Sequence, residues 1–509
     1  MRDELGGGLI DERGARAVDG ATGVGGRRVP WGALAVALLV GACGGDGGGG
    51  ATDATAITDT APVDVIPADT VTTDTGGADV TVTSGGWRAT VVAEGGRQVR
   101  ATTLPSGRVA AIAYADEGIP GASCGASGEA AATLVGWDLS YAERGADGAW
   151  AVEVVARVDH LGPPRGADVG AAGDGAPVIA ALAGGPSEQP PYCGANDLAI
   201  YERAPGSAGF SPRVVVAESD EAQTGEPASD YGTVVGLWPA IAKDPDGRLA
   251  VAYKDVHAGS LQGDDFARAD LELVWEGAGG GLRHLAVDPG VGAGNYNGLV
   301  FDADGRPVVM TFNPRDDVAS ASRRGLWLWR SGDDGATWES VRLTAGGTGE
   351  RPAIAWDADG GTVWVAWYDA ERGLPMVAHL VDDAAFASLA DGWEVEDVGD
   401  HVFDEGAHPA LAVTADGQVA LAWYRCGRAS DGVGNCSPQR DGVVFAYRDG
   451  GEQWVREVVD DGGADGVCGG YIALAFAGGD TPVLLYQCLV PDGAGGYAAR
   501  LVAATGDRL

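Results

Sequence analysis

One phrase recurs along this chain and limits what it can fold into. It is an apolar strand, a turn built on Asp-Gly, and a second strand rich in β-branched and aromatic residues. "RPAIAWDADGGTVWVAWYD" (351–369) matches "HPALAVTADGQVALAWYR" (408–425) and "WPAIAKDPDGRLAVAYKD" (238–255). Looser copies are "QVRATTLPSGRVAAIAYAD" (98–116), "GADVGAAGDGAPVIAALA" (166–183), "YNGLVFDADGRPVVMTFN" (296–313) and "YIALAFAGGDTPVLLYQ" (471–487). Each copy has the signature of a β-hairpin. A second, weaker hairpin lies between copies, as in "GLWLWRSGDDGATWESVRLT" and "VVFAYRDGGEQWVREVVD". Four strands per unit, seven units and a period of roughly 55–70 residues predict an all-β, seven-bladed β-propeller.

The two ends of the repeat region complement each other. The seventh unit holds three strands, "YIALAFA", "TPVLLYQ" and "YAARLVAA". The missing fourth is "WRATVVAE", Trp87 to Glu94, ahead of the first unit. An N-terminal strand that completes the last blade closes the ring and leaves no gap between first and last blades.

Composition fits one large β domain. A chain of 509 residues can fold as a single propeller. Its 85 glycines suit many turns between short strands. The formal charge of −39 excludes nucleic acid as a partner, because phosphate binding needs a surplus of Lys and Arg. Lys243 and Lys254 are the only lysines. The acidity is read as solubility for an exposed protein, and a monomer is expected.

Near the N-terminus, Arg27 and Arg28 precede an apolar run from Val29 to Ala42, followed by Cys43. The run is too short to span a bilayer stably and has the shape of an export signal. Val40-Gly41-Ala42-Cys43 resembles a bacterial lipobox. That resemblance implies cleavage before Cys43, lipidation of its thiol, and a lipoprotein on the outer membrane, the cell surface or a periplasmic face. Residues 44–86 are rich in Gly, Asp, Thr and Pro and nearly free of large apolar side chains, which predicts a disordered tether. The expected organisation is a signal peptide over 1–43, a linker over 44–86 and the propeller over 87–509.

Ser331-Gly332-Asp333-Asp334-Gly335-Ala336-Thr337-Trp338 fits S-x-D-x-G-x-T-W and resembles the Asp-box (BNR repeat) of sialidases and unrelated propellers. It joins strands 3 and 4 of its unit, on the rim opposite the loops expected to bind. Asp333 is expected to accept backbone amide hydrogens, Gly335 to take positive φ and Trp338 to pack between strands. The octapeptide is therefore read as a turn and not as a catalytic group. The Asp-x-Asp-Gly turns at 302–305, 357–360 and 244–247 begin like calcium loops but lack the later ligands and the terminal glutamate. No cofactor and no metal site is expected, and no histidine pair has metal-ligand spacing.

Counting back from each Asp-Gly turn finds the mouth of the innermost strand on the binding rim. Those positions are Gln98, Gly166, Trp238, Tyr296, Arg351 and His408, with Tyr471 in the seventh unit. Aromatic faces and polar tips around one channel predict a ligand site for a glycan or a protein. Strand-2 ends place Asp116, Asp255, Asp369 and Arg425 on the same rim. The sialidase resemblance implies three arginines holding a carboxylate, a Tyr nucleophile activated by Glu, and an Asp acid/base. Arg97, Arg165 and Arg351 lie at matching heights, Asp116 stands for the acid, and Tyr296 or Tyr471 for the nucleophile. No Glu falls beside either Tyr in the sequence, so non-catalytic binding is the preferred expectation and a sialidase-type exo-glycosidase the alternative. His257, His284 and His379 are read as isolated structural or surface residues.

Besides Cys43 there are six cysteines: Cys124, Cys193, Cys426, Cys436, Cys468 and Cys488. An even number in an exported chain predicts three disulfides, with fifteen pairings open. All six map to the expected binding rim, where staples would pre-organise long loops.

Overall fold

The computed structural model describes residues 80–82, 86–115, 118–124, 132–160, 164–183, 197–203, 207, 209–217, 234–260, 265–290, 292–313, 324–345, 350–401, 403–429, 441–448, 453–461, 466–507 and 509. Asp116, Cys43, Cys193 and Cys436 lie outside them, as do the signal segment and nearly all of the tether; of Cys124 only the backbone is described.

Seven antiparallel sheets form seven blades. Their innermost strands are Arg97–Thr103, Ala167–Ala171, Val234–Lys243, Asn295–Phe301, Glu350–Asp357, Phe403–Val413 and Val467–Ala477. The ring closes as the repeat demands: Arg88–Glu94 pairs antiparallel with the C-terminal strand Tyr497–Thr505 and completes blade 7. Trp87 fixes that closure. It is 1% exposed, meets Phe445 of blade 6 edge-on at 5.0 Å, and donates its indole N–H to Glu457 at 2.7 Å. Val80–Val82, inside the segment expected as linker, adds a fifth strand outside Arg88–Glu94.

The second strands carry the core. Val109–Tyr114 and Pro307–Asn313 are buried throughout, because both faces of each sheet pack against a neighbouring blade. This is why those strands read as continuous apolar runs rather than as alternating ones.

The turns behave as the sequence implies. Asp302 accepts the N–H groups of Asp304 and Arg306 on one oxygen (3.0 and 2.9 Å) and the Arg306 Nε–H on the other at 2.6 Å. In the octapeptide, Ser331 Oγ accepts from the Gly335 amide at 2.8 Å, and Asp333 accepts from the Thr337 amide and hydroxyl at 2.8 and 2.7 Å. Gly335 has φ +85°, and a Cβ there would lie 2.4 Å from Leu285 of blade 3. Trp338 packs on the apolar cluster shared by blades 3 and 4. The turn thus closes a hairpin and locks two blades together. It lies at the end of its blade away from Asn295, since Arg330 pairs with Val308 beside the strand 1–2 turn.

Candidate functional site

All seven positions found by counting back from the turns have left-handed backbone. Gln98, Trp238, Tyr296, Arg351, His408 and Tyr471 have φ between +45° and +54°, and Gly166 has φ +88°. Hydrogen-bond register breaks around this point in blades 1, 3, 4, 5, 6 and 7, so each of those innermost strands carries a bulge there. Left-handed backbone is uncommon outside glycine and an outlier for bulky side chains. Here it occurs six times at one height around one axis.

The signal that marks these positions is a glycine two residues earlier. Gly96, Gly236, Gly294, Gly406 and Gly469 all have φ between +93° and +114°. A Cβ on Gly406 would lie 2.5 Å from the Pro375 nitrogen of blade 5, and one on Gly236 would lie 2.9 Å from Leu198 Cα of blade 2. The chain crosses the preceding blade at contact distance and then turns inward. In "GLWP", "GERP" and "GAHP" a proline follows the turned residue as well.

The turned side chains meet one another. Arg351 lies over the rings of Tyr296 and Tyr471, 5.3 and 5.0 Å from their centroids. Trp238 packs on Tyr296 at 5.5 Å, and His408 on Tyr471 at 5.2 Å. The Lys254 ammonium lies 5.6 Å from the Trp238 ring. The result is an aromatic collar around a guanidinium on the axis. Main-chain links tie it together: the Trp238 N–H donates to the Arg165 carbonyl at 2.8 Å, and Asn297 Nδ2 donates to the Trp238 carbonyl at 3.0 Å.

Beneath the collar is an axial cavity of about 210 Å³ lined by Arg100, Asp168 and Asn297 among mainly aliphatic side chains. Burial pushes the Asp168 carboxyl up to about 6, against the pull of Arg100 and two backbone N–H groups. Burial, reinforced by Arg351 and Arg100, holds the His408 imidazole well below its usual range. His408 therefore stays neutral while both guanidiniums carry charge, and the axis is locally basic within an acidic protein.

The remaining expected residues are distributed as follows. Arg97 stacks on Trp137 of its own blade at 5.4 Å, Arg165 is buried with its carbonyl accepting the Trp238 N–H, and Arg351 lies between Tyr296 and Tyr471. Cys468 and Cys488 form a disulfide across the first hairpin of blade 7, three residues before Tyr471. Cys426 is also disulfide-bonded, in the strand that follows His408.

His257 is not isolated. Its Nε2 lies 3.1 Å from Asp270 and 3.7 Å from Asp255, all three buried. On the same face of blade 3, Tyr253 donates to Glu272 at 2.6 Å. Burial, with the neighbouring Asp270 adding to it, pushes the Glu272 carboxyl up to about 7. The Asp270 carboxylate facing Nε2 raises the His257 pKa. The sequence hides this cluster because its members meet only across the pairing of strands 2 and 3, Tyr253 opposite Glu272 and Asp255 opposite Asp270.

Fold and collar define a seven-bladed β-propeller with one elaborated axial mouth. A protein of unknown function from Dyadobacter fermentans DSM 18053 is similar at 10% identity and TM-score 0.43, over 82% of this chain and 99% of that one. The NanB sialidase of Streptococcus pneumoniae is similar at 12% identity and TM-score 0.39, over 84% and 70%. Trypanosoma rangeli sialidase is similar at 12% and 0.39, over 71% and 56%. At such values the likeness is one of general fold and brings no residue roles. No family model and no curated protein sequence matches the chain.

Proposed function

We propose that this chain is an exported bacterial lipoprotein, anchored through Cys43, whose propeller binds a glycan or protein ligand at the Arg351 collar without turning it over. One observation carries the binding reading. Six blades hold a large aromatic, basic or amide side chain in left-handed backbone, where glycine would be less strained, and Gly166 shows that glycine fits the same position. Strain kept at one height in six blades supports use of those side chains together. Tyr and Trp faces suit sugar rings or apolar side chains, and Arg351 adds an anion-directing charge.

The alternative is a sialidase-type exo-glycosidase using Arg97, Arg165 and Arg351 with Tyr296 or Tyr471 as nucleophile. It is the weaker reading, because Arg97 is engaged with Trp137 and Arg165 is buried.

A glycan array probed with the wild type and Arg351→Ala tests the binding function, and a fluorogenic sialoside tests turnover. Array signal lost in the variant, with no hydrolysis by the wild type, is the expected result. Hydrolysis abolished by Arg351→Ala would establish the enzyme instead. Incorporation of labelled palmitate, lost in Cys43→Ser, tests the anchor.

A further inference from the structure

Two residues beyond each collar position lies a second layer on the axis. It reads Arg100 and Asp168 in blades 1 and 2, then Ala240, Gly298, Ala353, Ala410 and Ala473 in the other five. Five small residues leave the cavity open. The two charged ones, from adjacent blades, make one wall of it polar. The space is about 210 Å³. It suits a small molecule.

The polar groups of this layer are unevenly used. Asp168 is engaged: one oxygen accepts from the Val169 N–H at 2.9 Å and the other from the Ile241 N–H at 2.8 Å. Asn297 donates from Nδ2 to the Trp238 carbonyl, which leaves its Oδ1 as a buried acceptor with no partner. Nearby, the buried His408 Nε2 also has none. Asn297 is 5% exposed and lines the cavity. Burial lowers the Arg100 pKa, with Asp168 as the nearby counter-charge and Arg351 as a nearby like charge. The cavity therefore offers the Arg100 guanidinium as donor and positive charge on one side, and an unused acceptor on another.

We propose that the axial cavity binds a small hydroxycarboxylate, its carboxylate on the Arg100 guanidinium and its hydroxyl donated to Asn297 Oδ1. This site is internal to the propeller and independent of any ligand held by the collar. A plain carboxylate would leave Asn297 Oδ1 without a donor, and a neutral alcohol would leave Arg100 without an anion. The pairing of the two groups sets the ligand class.

Isothermal titration calorimetry at constant ionic strength, with glycolate, propionate and chloride as probes, tests this. Glycolate is expected to bind the wild type at least tenfold more tightly than propionate, and chloride more weakly still. Arg100→Gln is expected to abolish glycolate binding. Asn297→Ala is expected to keep carboxylate binding but erase the preference for glycolate. Ala353→Leu fills the cavity without touching a charge, so it is expected to remove binding while circular dichroism shows the propeller still folded. Absence of glycolate binding to the wild type, equal affinity for glycolate and propionate, or undiminished binding in Ala353→Leu would overturn the proposal. Each leaves the collar reading untouched, since that reading is judged on the glycan array.

Discussion

The guanidinium of Arg351 lies 5.0 Å from the ring centroid of Tyr471, although the two residues belong to blades 5 and 7. Arg351 thus reaches past the blade between them and, lying also over Tyr296, links blades 4 and 7 of the collar. A cation–π contact of this kind contributes about 0.5–2 kcal/mol, according to how far it is desolvated. Arg351→Ala is expected to weaken collar-ligand binding at least tenfold and to lower the unfolding free energy by about 0.5–2 kcal/mol. Arg351→Lys keeps the charge but loses the flat face, so an intermediate affinity is expected. Titration of a ligand found on the array checks both variants; equal affinity for wild type and Arg351→Ala would remove Arg351 from the site.

The left-handed backbone at Gln98 makes a prediction opposite to the usual rule for strands. At φ +54° any side chain carries strain of about 1–2 kcal/mol, whereas glycine does not. Glycine's greater freedom in the unfolded chain offsets about 0.4–1 kcal/mol of that. Gln98→Gly is therefore expected to be more stable than Gln98→Ala, by up to about 1.5 kcal/mol in denaturant titration. Ala101→Gly, in the same strand but outside the left-handed region, is expected to lose about 0.5–1 kcal/mol. If Gln98→Ala proved the more stable of its pair, the backbone assignment at the collar would be wrong.

The disulfide between Cys468 and Cys488 spans 20 residues of sequence and closes the hairpin that carries Tyr471. A loop of this length is stabilised by about 3 kcal/mol when cross-linked. The double substitution of both cysteines by serine is expected to lower the unfolding free energy by about that amount. It should also weaken collar binding, because Tyr471 loses its nearest covalent brace. Preserved affinity alongside lowered stability would make the bridge a matter of folding alone.

The repeat made the ring, its closure by Trp87–Glu94 and the height of the collar legible before any coordinates. A hairpin turn fixes register, and register fixes which residue reaches the axis. The conformation at that residue was not legible from the same count. It depends on the glycine two positions earlier, such as Gly406, pressing against the preceding blade. The bulge then determines which later residues line the channel, so Arg100 and Asp168 escaped notice although each stands two places beyond a position already counted. The His257 cluster was hidden for another reason. Its carboxylates lie on two strands, and only cross-strand pairing with burial separates them from ordinary acidic surface residues.

Asp168 gives the axis a pH dependence whose sign follows from its environment. Its folded pKa, pushed up to about 6, lies above the unfolded value of about 3.9. The folded state therefore holds the proton more tightly, and stability from this group is lost as pH rises from about 4 through 6. Two units correspond to at most about 3 kcal/mol. Neutral His408 acts in the opposite direction at acid pH, because its lowered pKa makes protonation unfavourable in the fold. The group is isolated by comparing wild type with Asp168→Asn rather than by the wild-type profile alone. Asparagine cannot accept both backbone N–H bonds, so the variant carries a roughly constant penalty at every pH. On top of that penalty, the stability of Asp168→Asn relative to wild type is expected to improve between pH 4.5 and 7, by up to about 2 kcal/mol, and to level off above pH 7. Urea titrations of both proteins across that range would show it, and a difference independent of pH would mean that Asp168 ionises as freely in the propeller as in the unfolded chain.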